Sequence, residues 1–181
     1  ASGYPGGNRV LLMDMSPGQV TPGMPAFDVI GHYDDEGKPD FDARAAYGRI
    51  NDRFIYPRGV ALDPVDHRLF VNDQYNNRVL MFELDVENRI ADRVVDVVLG
   101  QPDAYTGQLR EISARTLQIP LALAYDVNSK QLFVGDGWNN RVMVFDAHPD
   151  RLRTFDEAVA VLGQRDFESD EPSVGPDRLN F

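Results

Sequence analysis

Cysteine is absent from the 181 residues, which removes disulfides, thiolate metal sites and cysteine nucleophiles together and leaves the redox compartment open. Basic side chains are scarce: 18 Lys and Arg stand against 29 Asp and Glu, a net charge of −11. A surface with that balance repels phosphate backbones, so nucleic acid is not an expected partner. No apolar run reaches the ~20 residues of a membrane-spanning helix, and no membrane span is expected. Gly6-Gly7 is followed by neither a lysine nor a helix, so it is no phosphate loop, and no Gly-x-Ser-x-Gly elbow occurs. The three histidines, His32, His67 and His148, show none of the short spacings of a zinc site and read as surface residues. What remains is ordinary globular composition, 43% hydrophobic and 26% charged, enough to bury a core.

The informative feature is internal repetition. The stretch from Pro57 to Asp103 realigns without a gap on Pro120 to Asp166, an offset of 63 residues. Leu69-Phe70-Val71 falls on Leu132-Phe133-Val134, Asn76-Asn77-Arg78-Val79 on Asn139-Asn140-Arg141-Val142, and Leu99-Gly100-Gln101 on Leu162-Gly163-Gln164. A partial third copy opens the chain, where Asn8-Arg9-Val10 through Gly31 matches Asn77 through Gly100 at an offset of 69.

Each full copy reads as four short strands. Strand a is Gly59–Leu62 (Ala122–Tyr125), followed by a turn-forming aspartate, and strand b is Arg68–Asn72 (Gln131–Gly135), rich in the Leu-Phe-Val that pleated surfaces favour. Strand c is Arg78–Leu84 (Arg141–Ala147), and strand d is Val94–Leu99 (Ala158–Leu162). Between b and c lies Asp-x-x-Asn-Asn, and asparagine tolerates the positive φ of a tight turn. Four strands recurring at this spacing, with no strongly amphipathic helix between copies, predict an all-β fold: a β-propeller of four-stranded antiparallel blades, about two and a half of them in this chain. The expected divisions are a partial blade of strands c and d over 1–31, a linker over 32–56, a full blade over 57–100, a linker over 101–119, a full blade over 120–163, and a linker over 164–181 toward a further blade.

These residues resemble the NHL repeat. The resemblance is carried by Pro-x-Gly-Val-Ala-x-Asp at Pro57–Asp63, Leu-Phe-Val-x-Asp-x-x-Asn-Asn-Arg-Val at Leu69–Val79, and the Val-Leu-Gly-Gln-x-Asp that in the bacterial variety begins a long linker. It covers nearly everything outside the linkers; Ala122 departs from it where Gly59 has its counterpart. The resemblance implies an exported protein, periplasmic or extracellular. A closed propeller needs four to eight blades, and an unpaired terminal blade leaves strand edges and apolar faces bare. Burying each exposed Leu, Val or Phe is worth about 1.5–3 kcal/mol, so the expected partners are the remaining blades, from the same longer polypeptide or from other chains.

Asp73 with Arg78, and Asp136 with Arg141, recur in both full blades and therefore read as architecture rather than chemistry. Tyr75 and Trp138 hold equivalent places in the b–c turns, on the face that also carries the linkers. With Asn76 and Asn139 beside them, they are the candidate binding residues, since aromatics in register form a stacking platform. In the first linker Asp34, Asp35, Asp40 and Asp42 offer the hard oxygens that calcium takes, without the register of an EF-hand; no other cofactor is expected. Asp103 and Asp166 read as turn caps. Three functions compete. The first is a non-enzymatic scaffold that binds a protein, peptide or glycan through the linker and b–c face. The second is part of a propeller enzyme, lyase or lactonase-like, whose metal and catalytic residues sit on other blades: strand a here is apolar apart from Tyr125 and has little to hold a cation. The third is a structural subunit of a multi-chain assembly.

Overall fold

A computed structural model describes residues 7–33, 36, 38–41, 54–172, 174–175 and 179–180. The fold is all-β, built from three antiparallel sheets in chain order. The first pairs β1 (Val10–Leu12) with β2 (Asp28–Ile30); the second is β3 (Pro57–Asp63), β4 (Arg68–Asp73), β5 (Arg78–Glu83) and β6 (Val97–Leu99); the third is β7 (Pro120–Asp126), β8 (Gln131–Asp136), β9 (Arg141–Asp146) and β10 (Ala160–Leu162). Both four-stranded sheets are plain meanders, each strand beside its sequence neighbour. The described residues form no closed ring.

The registers match across the copies residue for residue. Asp73 lies opposite Arg78 as Asp136 lies opposite Arg141, and both β3 and β7 slip register between their proline and the second residue after it. Val10 pairs with Ile30, Val79 with Leu99 and Val142 with Leu162, so β1 and β2 hold the register of the last two strands of a full sheet. Strand d is shorter than the sequence indicates, beginning at Val97 and Ala160. In the second sheet the preceding Asp96 still faces β5, its N–H donating to Met81 O and its carboxylate accepting the Glu83 N–H.

The second sheet is covered on both faces. Phe70, Val79 and Met81 enter one apolar core with Leu132, Val134 and Met143 of the third sheet, while Val71, Leu80 and Phe82 enter another with Ile30 and Phe54. Alternate residues of a strand point to opposite faces, so a strand buried on both sides reads as the continuous run Val79-Leu80-Met81-Phe82. Strand β3 packs directly on β7: a Cβ at Gly59 would lie 3.5 Å from the Leu123 nitrogen. Equivalent turns of the second and third sheets therefore lie at the same end of the stack.

Candidate functional site

The b–c turns are single turns of 3₁₀ helix, Gln74–Asn76 and Gly137–Asn139, each closed by an asparagine in the left-handed region, Asn77 at φ 53° and Asn140 at φ 48°. That conformation costs most side chains energy and is adopted by asparagine readily. A buried network forms around each turn. Asp73 Oδ2 accepts from Arg78 Nε at 2.7 Å and from Asn76 Nδ2 at 2.8 Å, while its Oδ1 accepts the Ile55 N–H at 2.6 Å. Asp136 does the same with Arg141 Nε at 2.8 Å, Asn139 Nδ2 at 2.8 Å and the Gln118 N–H at 2.6 Å. Both carboxylates and both guanidiniums are inaccessible to solvent. Burial pushes the carboxyls of Asp73 and Asp136 up, against the downward pull of the arginine, the asparagine amide and the backbone N–H.

The left-handed asparagine then ties one sheet to the entrance of the next. Asn8 Oδ1 accepts the Tyr56 N–H at 2.9 Å, and Asn77 Oδ1 accepts the Ile119 N–H at 2.9 Å, each just before strand a of the following sheet. The glutamine of Val-Leu-Gly-Gln ties the linker to the same turn: Gln101 Nε2 donates to Asn77 O at 3.4 Å and Gln108 O at 2.8 Å, and Gln164 Nε2 to Asn140 O at 3.0 Å and Glu171 O at 3.1 Å. Sequence reasoning assigned no role to these glutamines, although their recurrence with the asparagines was the available signal. Asp103 Oδ1 receives the Tyr105 and Thr106 N–H groups at 2.8 Å, and Asp166 Oδ1 receives that of Glu168, so both close turns.

This frame separates the four candidate binding residues. Tyr75 is 42% exposed and Trp138 61% exposed, at equivalent places on one end of the stack. Tyr75 leans on Tyr56, ring centroids 5.5 Å apart. Asn76 and Asn139, expected beside them, are instead buried with their amides turned inward to the aspartates. The reason is the 3₁₀ turn, which sends the third residue back under the chain while the second points outward. Asp73, Arg78, Asp136 and Arg141 hold the turns in place.

Next to Tyr56 opens a cavity of about 410 Å³ lined by Gly7, Asn8, Arg9, Tyr56, Pro57 and Arg58. It lies between the first sheet and β3, and its lining contains two arginines and no carboxylate. Sequence reasoning did not find it, because Arg9 and Arg58 are far apart in the chain and the counterpart of Arg58 in the next copy is Leu121. Of the calcium candidates, Asp34, Asp35 and Asp42 lie outside the described residues; the Asp40 N–H donates to His32 O. Among the described residues no group of three or more His, Asp or Glu side chains is placed to hold a metal. His32 is buried rather than at the surface, with Nε2 2.6 Å from Gly7 O. No helix of the described residues is long and apolar enough to cross a membrane.

The chain matches no protein-family model and no curated protein.

Proposed function

We propose that this chain is a binding scaffold of the NHL-repeat propeller type, without catalysis of its own, that takes a protein, peptide or glycan on the end carrying the linkers and b–c turns. One observation carries the reading. Trp138 and Tyr75 are exposed at matching positions while the other residues of their turns are buried, the amides of Asn76 and Asn139 turned inward to the aspartates. Aromatic anchors on a rigid frame gain contact area with little ordering cost, which is the character of binding hot spots. In this reading the three sheets are neighbours in a larger ring completed by further blades; the exposure of Val60 and Leu62 on β3, 54% and 48%, supports a covering element there.

Trp138 is the only tryptophan in the chain, so its fluorescence reports directly on the proposed surface. Titration with a panel of oligosaccharides and aromatic-rich peptides is expected to shift its emission for at least one class. Trp138→Ala and Tyr75→Ala are then expected to weaken that ligand by about thirtyfold or more, with melting temperature unchanged. A ligand held as tightly by both variants, or a panel that leaves the emission unmoved, overturns the proposal.

A further inference from the structure

The linkers that follow the second and third sheets use the same main-chain atoms and carry different side chains. At the offset of 63, Glu168, Asp170 and Glu171 stand where Tyr105, Gly107 and Gln108 stand in the preceding copy. Gly107 O accepts from Asn77 Nδ2 at 3.1 Å, and Asp170 O from Asn140 Nδ2 at 3.0 Å. Gln108 O accepts from Gln101 Nε2 at 2.8 Å, and Glu171 O from Gln164 Nε2 at 3.1 Å. Tyr105 and Glu168 each give an N–H to the aspartate that caps the turn before them. The frame is thus supplied by carbonyls and N–H groups, and it has no requirement for the three carboxylates that replace a tyrosine, a glycine and an amide.

These carboxylates stand on the segment tied to the turn of Trp138. The indole belongs to the 3₁₀ turn Gly137–Asn139, which Asn140 closes, and Asp170 and Glu171 are bonded to that asparagine directly and through Gln164. Glu168, Asp170 and Glu171 are all exposed, and none forms an ion pair among the described residues. Arg165, the basic residue closest to them in the described chain, is engaged with Asp166 and with Ser169 Oγ, each at 3.2 Å. Their exposure does not depend on standing at an end of the stack: Tyr105 and Gln108, at the same positions over the second sheet, are exposed with a core on either side of that sheet.

Among the described residues no three acidic side chains converge on a point fit for a metal ion, so the negative charge is spread along the linker rather than focused. Spread charge next to an exposed indole suits an organic cation, which lies over the ring face while carboxylates compensate its charge; tryptophan is the best aromatic partner for this. We infer that the linker end of the third sheet recognises a basic peptide segment, an arginine or lysine side chain lying over Trp138 with Glu168, Asp170 and Glu171 compensating its charge. The inference rests on reading this end as the binding surface and narrows the ligand to a cationic peptide. A neutral glycan or an apolar peptide has no use for the three charges, and the net charge of −11 draws a basic ligand toward the chain.

The probe is the end-blocked peptide Gly-Arg-Gly-Arg-Gly, with citrulline in place of both arginines as the uncharged control of nearly the same shape. Titrated into the full chain, the arginine peptide is expected to shift Trp138 emission, and the citrulline peptide to bind about tenfold more weakly. The triple variant Glu168→Gln, Asp170→Asn, Glu171→Gln keeps the backbone bonds and side-chain sizes. It should weaken the arginine peptide about tenfold and flatten its salt dependence, with melting temperature unchanged. Glu87→Gln makes the same kind of charge change on the loop between β5 and β6, at the opposite end of the stack, and should leave the affinity as it was. Equal binding of the arginine and citrulline peptides, undiminished binding by the triple variant, or an equal loss in Glu87→Gln overturns the inference. If a neutral oligosaccharide or an apolar peptide moves Trp138 emission and the arginine peptide does not, the inference falls and the scaffold reading stands; if no ligand of either kind moves it, both fall.

Discussion

Tyr125→Phe isolates one contact that joins the second and third sheets at the end away from the aromatic surface. Tyr125 donates its hydroxyl to Asp63 Oδ2 at 2.8 Å and accepts from Arg68 Nη2 at 3.1 Å, while Arg68 itself reaches Asp63 at 2.6 Å. The ring stacks on Phe70, centroids 5.6 Å apart, and the guanidinium lies over both rings. Phenylalanine keeps the stacking and removes only the oxygen. A hydrogen bond to a charged group contributes about 1.5–3 kcal/mol. Asp63 retains Arg68 and the N–H groups of Val65 and Asp66, so the lower end applies, about 1.5 kcal/mol. For a chain of this length that is a fall of about 3–6 °C in melting temperature near neutral pH.

The pH dependence gives the sharper test. Burial pushes the Asp63 carboxyl up, but Arg68, the Tyr125 hydroxyl and the two backbone N–H groups outweigh it and hold it at about 2, below the ordinary 3.8. That gap corresponds to about 2–2.5 kcal/mol. A folded-state value below the unfolded one means the stabilisation is complete above pH ~4 and is lost as pH falls toward 2. The Tyr125→Phe deficit should follow it, full at pH 7 and shrinking between about pH 4 and 2, read by thermal melts followed by circular dichroism. A deficit that stays constant to about pH 2, or no deficit at pH 7, refutes the account of Asp63 as a charged acceptor for Tyr125.

Two further outcomes follow from the buried network and its neighbour. Asp136→Ala strands a solvent-inaccessible Arg141 beside its carbonyl partners and should cost about 3–5 kcal/mol, or leave the third sheet unfolded, as measured by chemical denaturation. Asn72 is fully buried and both its amide atoms lack partners, so the near-isosteric Asn72→Leu should be neutral or stabilise the chain by about 1 kcal/mol; a loss above about 2 kcal/mol in the same assay would contradict the burial argument.

Much of this was legible because the chain states it more than once. A single Asp-x-x-Asn-Asn is a turn signal of modest value, but its return at fixed offset beside Arg-Val fixes both the turn and the two strands it joins. The turn's inner geometry was not legible. Whether Tyr75 or Asn76 faces outward depends on a 3₁₀ turn in place of a two-residue hairpin, and both choices satisfy the same residues. Gln101 and the buried His32 were missed because their partners are backbone carbonyls, Gln108 O and Gly7 O, and any sequence supplies a carbonyl.

The unit that holds this chain together is the junction between sheets rather than the sheet. Leu99 and Leu162 occupy the same repeated position and the same register, yet Leu99 is 1% exposed and Leu162 49%. Leu99 has Leu117 and the third sheet's core over it; the sequence at position 162 is no less apolar, only less covered. Each junction combines an aspartate from strand b, an asparagine from the turn and an N–H from the entrance of the next sheet, so no sheet contains all of its own fixings. Stability in such a stack is a sum over neighbours, and it concentrates in the second sheet, whose two faces are both filled. A substitution there opens a filled interface, with the third sheet at Phe70 and with Ile30 and Phe54 at Leu80, whereas one at Val60 or Leu162 acts at a surface where the neighbour decides its worth. The aromatic pair stands above the two best-fixed turns of this arrangement, and that fixation is what holds Tyr75 and Trp138 at matching places on one end of the stack.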